Sequence, residues 1–299
     1  MADRFLARFA SAPALMAVDQ EERFRACLMG LAADAQAQEL IAGRGLAGED
    51  APAMSDDFWF SPDDWRSNHR PYKVVAGILQ IPIKGVLLHD FPWAFGSYAT
   101  GYAYVWKAFE RGLADAEVQG IAFMIDSPGG EVAGNFDLVD KMWDAKAADP
   151  SKPIWAFAAE NAYSAAYSIA SVADQISMSR TGGVGSVGVV TTHMDQSKML
   201  EDWGLKITFI HAGKHKVDGN PAEPLAPAVK ARIQKRIDEL YAIFVETVAR
   251  NRGMSVQSVR DTEALTYSSK DAIAVGFADR VGSLEDSFPI GSASGREGV

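Results

Sequence analysis

Ser164 stands where the apolar run PIWAFA meets the small-residue run SAAY. The pattern predicts a strand that turns sharply into a helix, with the serine at the turn. Ala165 and Ala166 follow directly, and their small side chains let another backbone approach closely. A nucleophilic serine needs that space, but so does tight packing, and serine is also a common helix N-cap. Ser168 and Ser171 compete as candidates, although they lie further into the predicted helix.

The turn sequence SPGG is a second candidate feature, because it follows the apolar run VQGIAFMID. Gly129 and Gly130 have no side chain to obstruct their backbone N–H groups. Successive parallel strands end at one edge of a sheet, so these N–H groups and Ser164 are expected in one crevice. In acyl-transfer chemistry, they and the Ala165 N–H would stabilise an oxyanion. A plain tight turn is the alternative interpretation.

A nucleophilic serine needs a general base, and the sequence offers two kinds. His193 is the best-placed histidine, with Asp195 nearby to orient it, which would complete a Ser-His-Asp triad. Lys214 and Lys216 lie in HAGKHKVDGNP, and spacing alone does not separate them. A lysine is a base only when desolvation lowers its pKa far below about 10.4, which a loop folded over a crevice can achieve. Two solvated lysines beside a turn are the alternative.

Composition narrows the classes of function. The chain has 299 residues, of which 48% are hydrophobic and 23% charged, as in ordinary globular proteins. Its net charge of −10 argues against general nucleic-acid binding, and its single cysteine excludes an internal disulfide and a multi-cysteine metal site. No run approaches the roughly 20 apolar residues that span a bilayer, and no signal-peptide pattern is present. We therefore expect a cytoplasmic protein without membrane contact.

Strand-like and helix-like runs alternate from Tyr72 onward. The strand-like runs include YKVVAGILQIPIKGVL, VQGIAFMID, KPIWAFA, VGSVGVVTT and, over residues 205–213, LKITFIHAG. A long amphipathic helix follows Pro227, with apolar residues at helical spacing from Val229 to Val248. This alternation predicts an α/β fold with a largely parallel sheet.

The sequence pattern and local composition divide the chain into four predicted regions. Residues 1–47 are predicted to form a helical N-terminal leader, and residues 48–71 an acidic, aromatic linker. The α/β domain is expected over residues 72–285. Residues 286–299 are rich in glycine and serine and are predicted to be disordered.

Four sequence blocks, taken in order, resemble the S49 serine peptidases, the signal-peptide-peptidase family of the ClpP/crotonase-like superfamily. They are DSPGG, SAAY, RTGGVGSVGVV and GKHKVDGNP, and the resemblance runs from about Val74 to about Val281. It implies a ClpP/crotonase-like β-α spiral and a peptidase with a Ser/Lys dyad and no cofactor or metal. One departure is that the usual Ser-Gly-Gly is Ser-Ala-Ala here, and alanine still permits close approach.

The resemblance also implies a role for each matching residue. Ser164 matches the nucleophile, and Lys216, rather than Lys214, matches the general base. Ser186 matches the hydroxyl that orients the lysine, which leaves His193 as an ordinary strand-end residue. The positions that match or complete the oxyanion hole are Gly129 or Gly130 and Ala165.

A closer resemblance, carried by HKVDGNP, VAGNFD, DTEALTYSS and APALM, is to the capsid assembly proteases of lambda-like tailed bacteriophages. It implies action inside the prohead in the host cytoplasm, with scaffold, portal and capsid proteins, or the enzyme itself, as substrates or partners. It also implies a homo-oligomeric ring whose neighbouring subunits share active sites. That group commonly carries a long C-terminal scaffold extension, so we expect a separately encoded scaffold or a trimmed form here.

Three alternatives stay open at this point. A bacterial cytoplasmic signal-peptide-peptidase-like protease would use the same residues. A crotonase-like acyl-CoA enzyme shares the spiral and the paired N–H groups, but it would bind CoA and would not need Ser164 or Lys216. A structural capsid or scaffold component with a degenerate protease fold would tolerate replacement of either residue.

Overall fold

The computed structural model describes residues 14–16, 20–44 and 72–287. Its strands are β1 (Ala14–Met16), β2 (Lys73–Val75), β3 (Ile78–Leu88), β4 (Ala94–Phe95), β5 (Ala99–Gly101), β6 (Gly120–Glu131), β7 (Ile154–Tyr163), β8 (Gln175–Met178), β9 (Gly183–Gly185), β10 (Thr266–Ser268) and β11 (Arg280–Val281). Its helices are α1 (Glu21–Ala33), α2 (Ala35–Arg44), α3 (Tyr102–Ala114), α4 (Asn135–Ala148), α5 (Ala165–Ala170), α6 (Ser197–Asp202), α7 (Pro227–Arg252), α8 (Val256–Arg260), α9 (Ser269–Ala274) and α10 (Leu284–Ser287). The predicted alternation of strands and helices is confirmed.

The strands form one mixed sheet whose centre is parallel. The order along the sheet is β10-β9-β7-β6-β3-β5-β4, with β6 parallel to both β3 and β7, and with β8 and β9 parallel to β7. The antiparallel pairs that β1, β2, β4 and β10 make lie around this centre. The α/β class with a largely parallel sheet is therefore confirmed. Parallel pairing also places the carboxyl ends of β6, β7 and β9 at one edge.

The main core lies where helices α3, α4, α5 and α7 pack with the central strands. Phe109 of α3 packs on Phe123 of β6, with their ring centroids 6.0 Å apart. Tyr167 holds the short helix α5, because its ring packs 4.8 Å from that of Phe277 and its hydroxyl donates to the Phe277 carbonyl at 3.0 Å. Burial raises the pKa of Tyr167, so the hydroxyl keeps the proton that it donates.

Helix α1 packs against strands β3, β5 and β6. Its Phe24, Leu28 and Leu31 form a second buried cluster with residues of β3, β4 and β5 and of the turn between β3 and β4. Arg23, on the same helix, forms a 2.7 Å ion pair with Asp126 of β6. These contacts fix the N-terminal helices beside β6, the strand that contains the SPGG segment.

The predicted helical leader is wrong at Ala14–Met16, which form strand β1. This segment pairs antiparallel with Gly129–Glu131 at the end of β6. Sheet hydrogen bonds from β6 and from Val190 outweigh the helical spacing of the apolar residues here, because tertiary context overrides propensity in short segments. The rest of the leader outside residues 20–44, the predicted linker and residues 288–299 of the predicted tail lie outside the described residues.

The predicted strand over residues 205–213 is also wrong. The backbone groups of residues 206–210 form no hydrogen bond with any residue that the structure describes. Leu205, Ile207 and Ile210 are exposed, Ile210 by 98%. The alternating apolar pattern is typical of a strand, but no strand within the described ranges of the chain pairs with it. The predicted strand VGSVGVVTT is likewise reduced to the end of β9 and one isolated bridge at Val190.

Helix α7 carries the C-terminal part of the chain onto the core. Pro227 starts it and Gly253, with a left-handed φ of 64°, ends it, as the residue preferences at helix termini predict. Most of its buried residues lie in its second half, where Phe244 packs 5.7 Å from the ring of Phe136 on α4. No helix in the described ranges is long and apolar enough to cross a membrane.

Phe244→Ala is expected to lower the free energy of unfolding by about 3–5 kcal/mol, because it leaves a cavity between α7 and α4. Ile243→Ala is the matched control, since Ile243 is 44% exposed on the same helix turn. Its expected effect is less than about 1 kcal/mol. Urea unfolding of both variants measures the difference, and equal losses would contradict this account of how α7 is docked.

Candidate active site

Ser164 occupies a strained turn between β7 and α5. Its φ of 54° and ψ of −116° are unusual for a residue with a side chain, a conformation that costs on the order of 1–3 kcal/mol. The Ser164 N–H donates to the Gly185 carbonyl at 2.8 Å, and the Ser164 carbonyl accepts from the Ser168 N–H at 3.0 Å. Such a sharp strand-to-helix turn presents a hydroxyl at the edge of the sheet. The predicted strand-turn-helix around Ser164 is confirmed.

The Ser164 hydroxyl is covered in this conformation. The residue is 0% exposed, and its Oγ donates to the Gly188 carbonyl over a long 3.5 Å. Among the described residues, no side chain that can act as a base forms a hydrogen bond to it. The single chain therefore positions this serine without activating it.

Gly129 and Gly130 both need to be glycines, because a side chain would collide with neighbouring backbone. A Cβ on Gly129, which has a φ of 114°, would lie 2.1 Å from the Leu15 carbonyl oxygen. A Cβ on Gly130 would lie 2.1 Å from the carbonyl oxygen of Leu87 on β3. The plain-turn interpretation does not account for this crowding, since part of it comes from the distant strand β1.

The SPGG segment was predicted to be a turn, but it is the last part of strand β6, which continues to Glu131 and pairs with β3. Ser127 holds this segment in place, a role that the sequence analysis did not assign. Its hydroxyl donates to the Gly85 carbonyl at 2.6 Å and accepts from the Gly129 N–H at 3.2 Å. The Gly129 N–H can thus reach an oxyanion only when the bond to Ser127 is released. Ser127 also faces Ala162 across the β6–β7 pair, so this segment of β6 lies next to the end of β7 that precedes Ser164.

Helix α5 is fixed from below by Asn135, which the sequence analysis also missed. This buried side chain donates to the Ala165 carbonyl at 3.2 Å and accepts from the Ser168 hydroxyl at 2.5 Å. Its only signal in the sequence is its place in the VAGNFD block. The hydroxyls of Ser168 and Ser171 also donate to carbonyls within their own helix, so both are structural. The Ala165 N–H opens α5, where helical N–H groups lack intrahelical acceptors.

Ser186 lies beside Ser164 at the end of the neighbouring strand. Tyr163 pairs with Gly185 across β7 and β9, and each of the two serines follows one member of that pair. Ser186 has a φ of 56° and is 5% exposed, and its N–H donates to the Leu265 carbonyl at 2.9 Å. Its hydroxyl forms no hydrogen bond to any described residue.

Lys216 lies apart from this cluster of buried groups. It occupies an exposed turn in which its own N–H donates to the Gly213 carbonyl at 3.0 Å. Its Nζ has no hydrogen-bond or ion-pair partner among the described residues, and the same is true of Lys214. Within one chain, the structure therefore brings together Ser164, Ser186 and the glycines but does not join either lysine to them.

The turn that carries Lys216 is attached to helix α7. Asp218 accepts from Arg232 and, at 2.8 Å, from His215 Nδ1. Burial raises the pKa of Asp218, but the hydrogen bonds and charges of Arg232 and His215 outweigh it and hold the pKa below its ordinary value. His215 and Asp218, which lie on either side of Lys216 in the sequence, thus hold the turn to Arg232 of α7 through an ion-pair network.

The predicted Ser-His-Asp triad does not form among the described residues. His193 Nε2 lies 3.2 Å from the Asn220 carbonyl oxygen rather than near Ser164. Asp195 accepts from the Ser197 N–H at 2.9 Å at the start of α6, and hydrogen bonding to the side chain and then to the N–H of Ser197 lowers the pKa of Asp195. Both side chains have structural partners of their own.

Comparison with known proteins gives two phage proteins among the similar relatives. The chain is 36% identical over 225 residues to the Head-tail preconnector protein GP5 of Enterobacteria phage P21, a match that covers 74% of this chain and 44% of that protein. It is 35% identical over 257 residues to the Capsid assembly protease C of Escherichia phage lambda, covering 84% of this chain and 56% of that protein. The chain thus spans about half the length of these curated relatives.

Solved structures and a family model complete the comparison. A ClpP1 mutant from Listeria monocytogenes superposes with a TM-score of 0.44 at 12% identity, covering 70% of this chain and 93% of that one. The model described as Peptidase family S49 matches residues 146–289, a region that includes Ser164, Ser186 and Lys216. The resemblance on which the sequence analysis relied is confirmed, and this region of the chain belongs to peptidase family S49.

Proposed function

We propose that this protein is a serine endopeptidase in which Ser164 is the nucleophile and Lys216 the general base. The observation that carries the proposal is the strained Ser164 turn, which lies one strand away from the two obligatory glycines of β6. A serine held at positive φ beside two glycines that have no side chain is an arrangement suited to acyl transfer. The match to the S49 family model supports it.

In this mechanism, the neutral amine of Lys216 takes the Ser164 proton as Oγ attacks the carbonyl carbon of the peptide. Backbone N–H groups of Gly129 or Gly130 and of Ala165 stabilise the oxyanion, each worth about 10²–10³ in rate. The ammonium then returns the proton to the leaving amine, and an acyl-enzyme remains. Water deprotonated by the same lysine attacks the ester, releases the carboxylic acid and regenerates Ser164. Ser186 orients the lysine amine throughout.

A second copy of the chain is the proposed source of the lysine. A lysine base must be taken out of water, yet Lys216 is exposed and the described part of its own chain offers it no partner. Ser164 and Ser186 are buried and lack a base. One heterologous contact, in which each copy inserts the Lys216 turn beside the Ser164 of its neighbour, satisfies both needs and generates a ring when it closes.

The segment preceding Lys216 supports the same assembly. Leu205, Ile207 and Phe209 alternate along residues 205–209 and are all exposed. The backbone groups of residues 206–210 are unpaired within the described chain. A continuous apolar, unpaired segment of this kind is typical of an interface, because monomers rarely leave such surface in water. We infer that a neighbouring copy covers it.

The biological role we propose is that of a prohead protease that cuts scaffold, portal or its own chain during capsid maturation. It rests on the two phage relatives, one of which is named as a capsid assembly protease. The same chemistry would serve a bacterial signal-peptide-peptidase-like protease in the cytoplasm. Purified scaffold and portal proteins, offered in turn to the enzyme, distinguish the two by which of them is cut.

Ser164→Ala and Lys216→Ala are each expected to lower the rate of scaffold cleavage by on the order of 10⁴ or more, because either change removes a group of the dyad. If neighbouring copies share the site, mixing the two inactive variants restores activity. Random mixing in equal amounts places an intact serine opposite an intact lysine at about a quarter of the interfaces. Intact-mass analysis of the cleaved scaffold measures each rate.

Lys214→Ala is the matched control, since Lys214 lies in the same exposed turn. It is expected to keep full activity. Loss of activity in this variant, with Lys216→Ala active, would move the base to Lys214. An inactive mixture would place both residues of the dyad in one copy.

Asp218→Asn is expected to loosen the turn that carries Lys216, because it removes the carboxylate that Arg232 and His215 bind. The pKa of Asp218 is lowered by folding, so its contribution to stability is present above the ordinary pKa and is lost as the pH falls through the lowered one. The variant should therefore have a lower Tm than the wild type at pH 7, and this difference should shrink as the pH falls below the ordinary carboxyl pKa of about 3.9.

Differential scanning fluorimetry across this pH range provides the measurement. Asp202→Asn is the control, since Asp202 makes only a long, exposed contact of 3.5 Å with Lys198. It should leave the Tm unchanged at both ends of the range. A pH-independent gap between Asp218→Asn and the wild type would show that the charge of Asp218 is not what holds the turn.

A further inference from the structure

Strand β1 lies on the backbone that presents the two candidate oxyanion glycines. Ala14 faces Glu131, Leu15 faces Gly130 and Met16 faces Gly129 in an antiparallel register. The segment is only three residues long and is separated in sequence from β6 by more than a hundred positions. It therefore adds a short extended peptide to the end of a strand, as in peptide recognition by strand addition.

The opposite edge of β1 is also paired. The Ala14 N–H donates to the Val190 carbonyl at 2.8 Å, and the Val190 N–H donates to the Ala14 carbonyl at 3.0 Å. This reciprocal pair joins β1 to the segment that follows Ser186. The β1 segment thus fills a groove whose two walls are the backbone of Gly129–Glu131 and that of Val190, and main-chain hydrogen bonds hold it there on both sides.

The groove fits the shape of its occupant. The Leu15 carbonyl oxygen lies 2.1 Å from where a Gly129 side chain would begin, so only glycine at this position admits the segment. The Leu15 side chain is 0% exposed and packs with the main core. Met16 packs against the second cluster, beside helix α1. Two apolar pockets therefore alternate along the groove, as side chains do along a bound strand.

The same groove borders the proposed nucleophile. Val190 is two residues beyond Gly188, whose carbonyl accepts from the Ser164 hydroxyl at 3.5 Å. On the other wall, Gly129 is two residues beyond Ser127, which faces Ala162, two residues before Ser164. Both walls thus lead from β1 to Ser164. Because β1 runs antiparallel to β6, from Glu131 toward Gly129, its Met16 end is the end nearer to Ser127.

We propose that Ala14–Met16 is an intramolecular occupant of the groove in which an incoming peptide would pair, so that the peptide must displace this segment before it can bind. This inference rests on the proposed peptidase function. The ligand class is an extended peptide with a small residue followed by two larger apolar residues, bound by backbone pairing to Gly129–Glu131 and Val190. The covered state of Ser164 in this conformation agrees with an occupied groove.

A binding experiment on an inactive chain tests the proposal apart from catalysis. The probe is a fluorescein-labelled peptide of residues 11–19, SAPALMAVD, and the readout is fluorescence anisotropy with full-length Ser164→Ala. A second protein carries Ser164→Ala and Leu15→Asp, which removes the apolar anchor of β1. If β1 fills the groove in nine of ten molecules, the double variant binds the peptide about tenfold more tightly.

Two controls keep the test decisive. A peptide with aspartate at the leucine position, SAPADMAVD, should bind the double variant at least about tenfold more weakly, because a charge would enter the apolar pocket. Ala14→Pro replaces Leu15→Asp if the latter lowers the Tm severely, since it removes only the donor to the Val190 carbonyl. Peptide affinity that is equal in proteins with and without the β1 substitution, or that is absent from both, overturns the proposal.

The outcome is separable from that of the proposed function. Binding that follows the expected order, together with a wild type that cuts no peptide, would keep the groove and remove the peptidase. Cleavage by the wild type, together with equal affinity in all variants, would keep the peptidase and place its substrate elsewhere.

Discussion

The candidate site depends on the parallel pairing of β7 with its two neighbours, β6 and β9. Because all three strands point the same way, their carboxyl ends meet at one edge, and each end carries a group of interest: the two glycines, Ser164 or Ser186. The hydrogen bond from the Ser164 N–H to the Gly185 carbonyl locks the serine into its positive-φ turn. Everything else described around the site, including Asn135 beneath α5, maintains that edge.

Much of this arrangement could be predicted from sequence because its causes are local or periodic. Apolar runs of strand length between helical runs predict a parallel sheet, and a parallel sheet brings Ser164 and Gly129 to one edge. Ser127 and Asn135 could not be predicted in the same way. Each is an ordinary polar residue whose role depends on three-dimensional partners, a carbonyl on β3 for one and a carbonyl on α5 for the other.

Two of the errors of the sequence analysis share a physical cause. Ala14–Met16 were expected to be helical, yet they pair with β6, and residues 205–213 were expected to form a strand, yet they pair with no strand of the described chain. Strand formation depends on what lies alongside, and a sequence pattern does not say whether a neighbour is present. Helix α7 was predicted correctly because its amphipathic period and its proline start are contained in the segment itself.

The unpaired segment before Lys216 also bears on when such an enzyme would work. If the lysine reaches Ser164 only from another copy, dilute chains are inert. The rate of catalysis then rises steeply with protein concentration, and removal of a pro-segment is not needed to start it. Encounter of two chains then becomes the timing step, since proteolysis starts only where many copies are confined in a small volume. The exposed apolar surface of Ile210 and its neighbours would then make activity depend on local concentration, because two chains must meet to bury it.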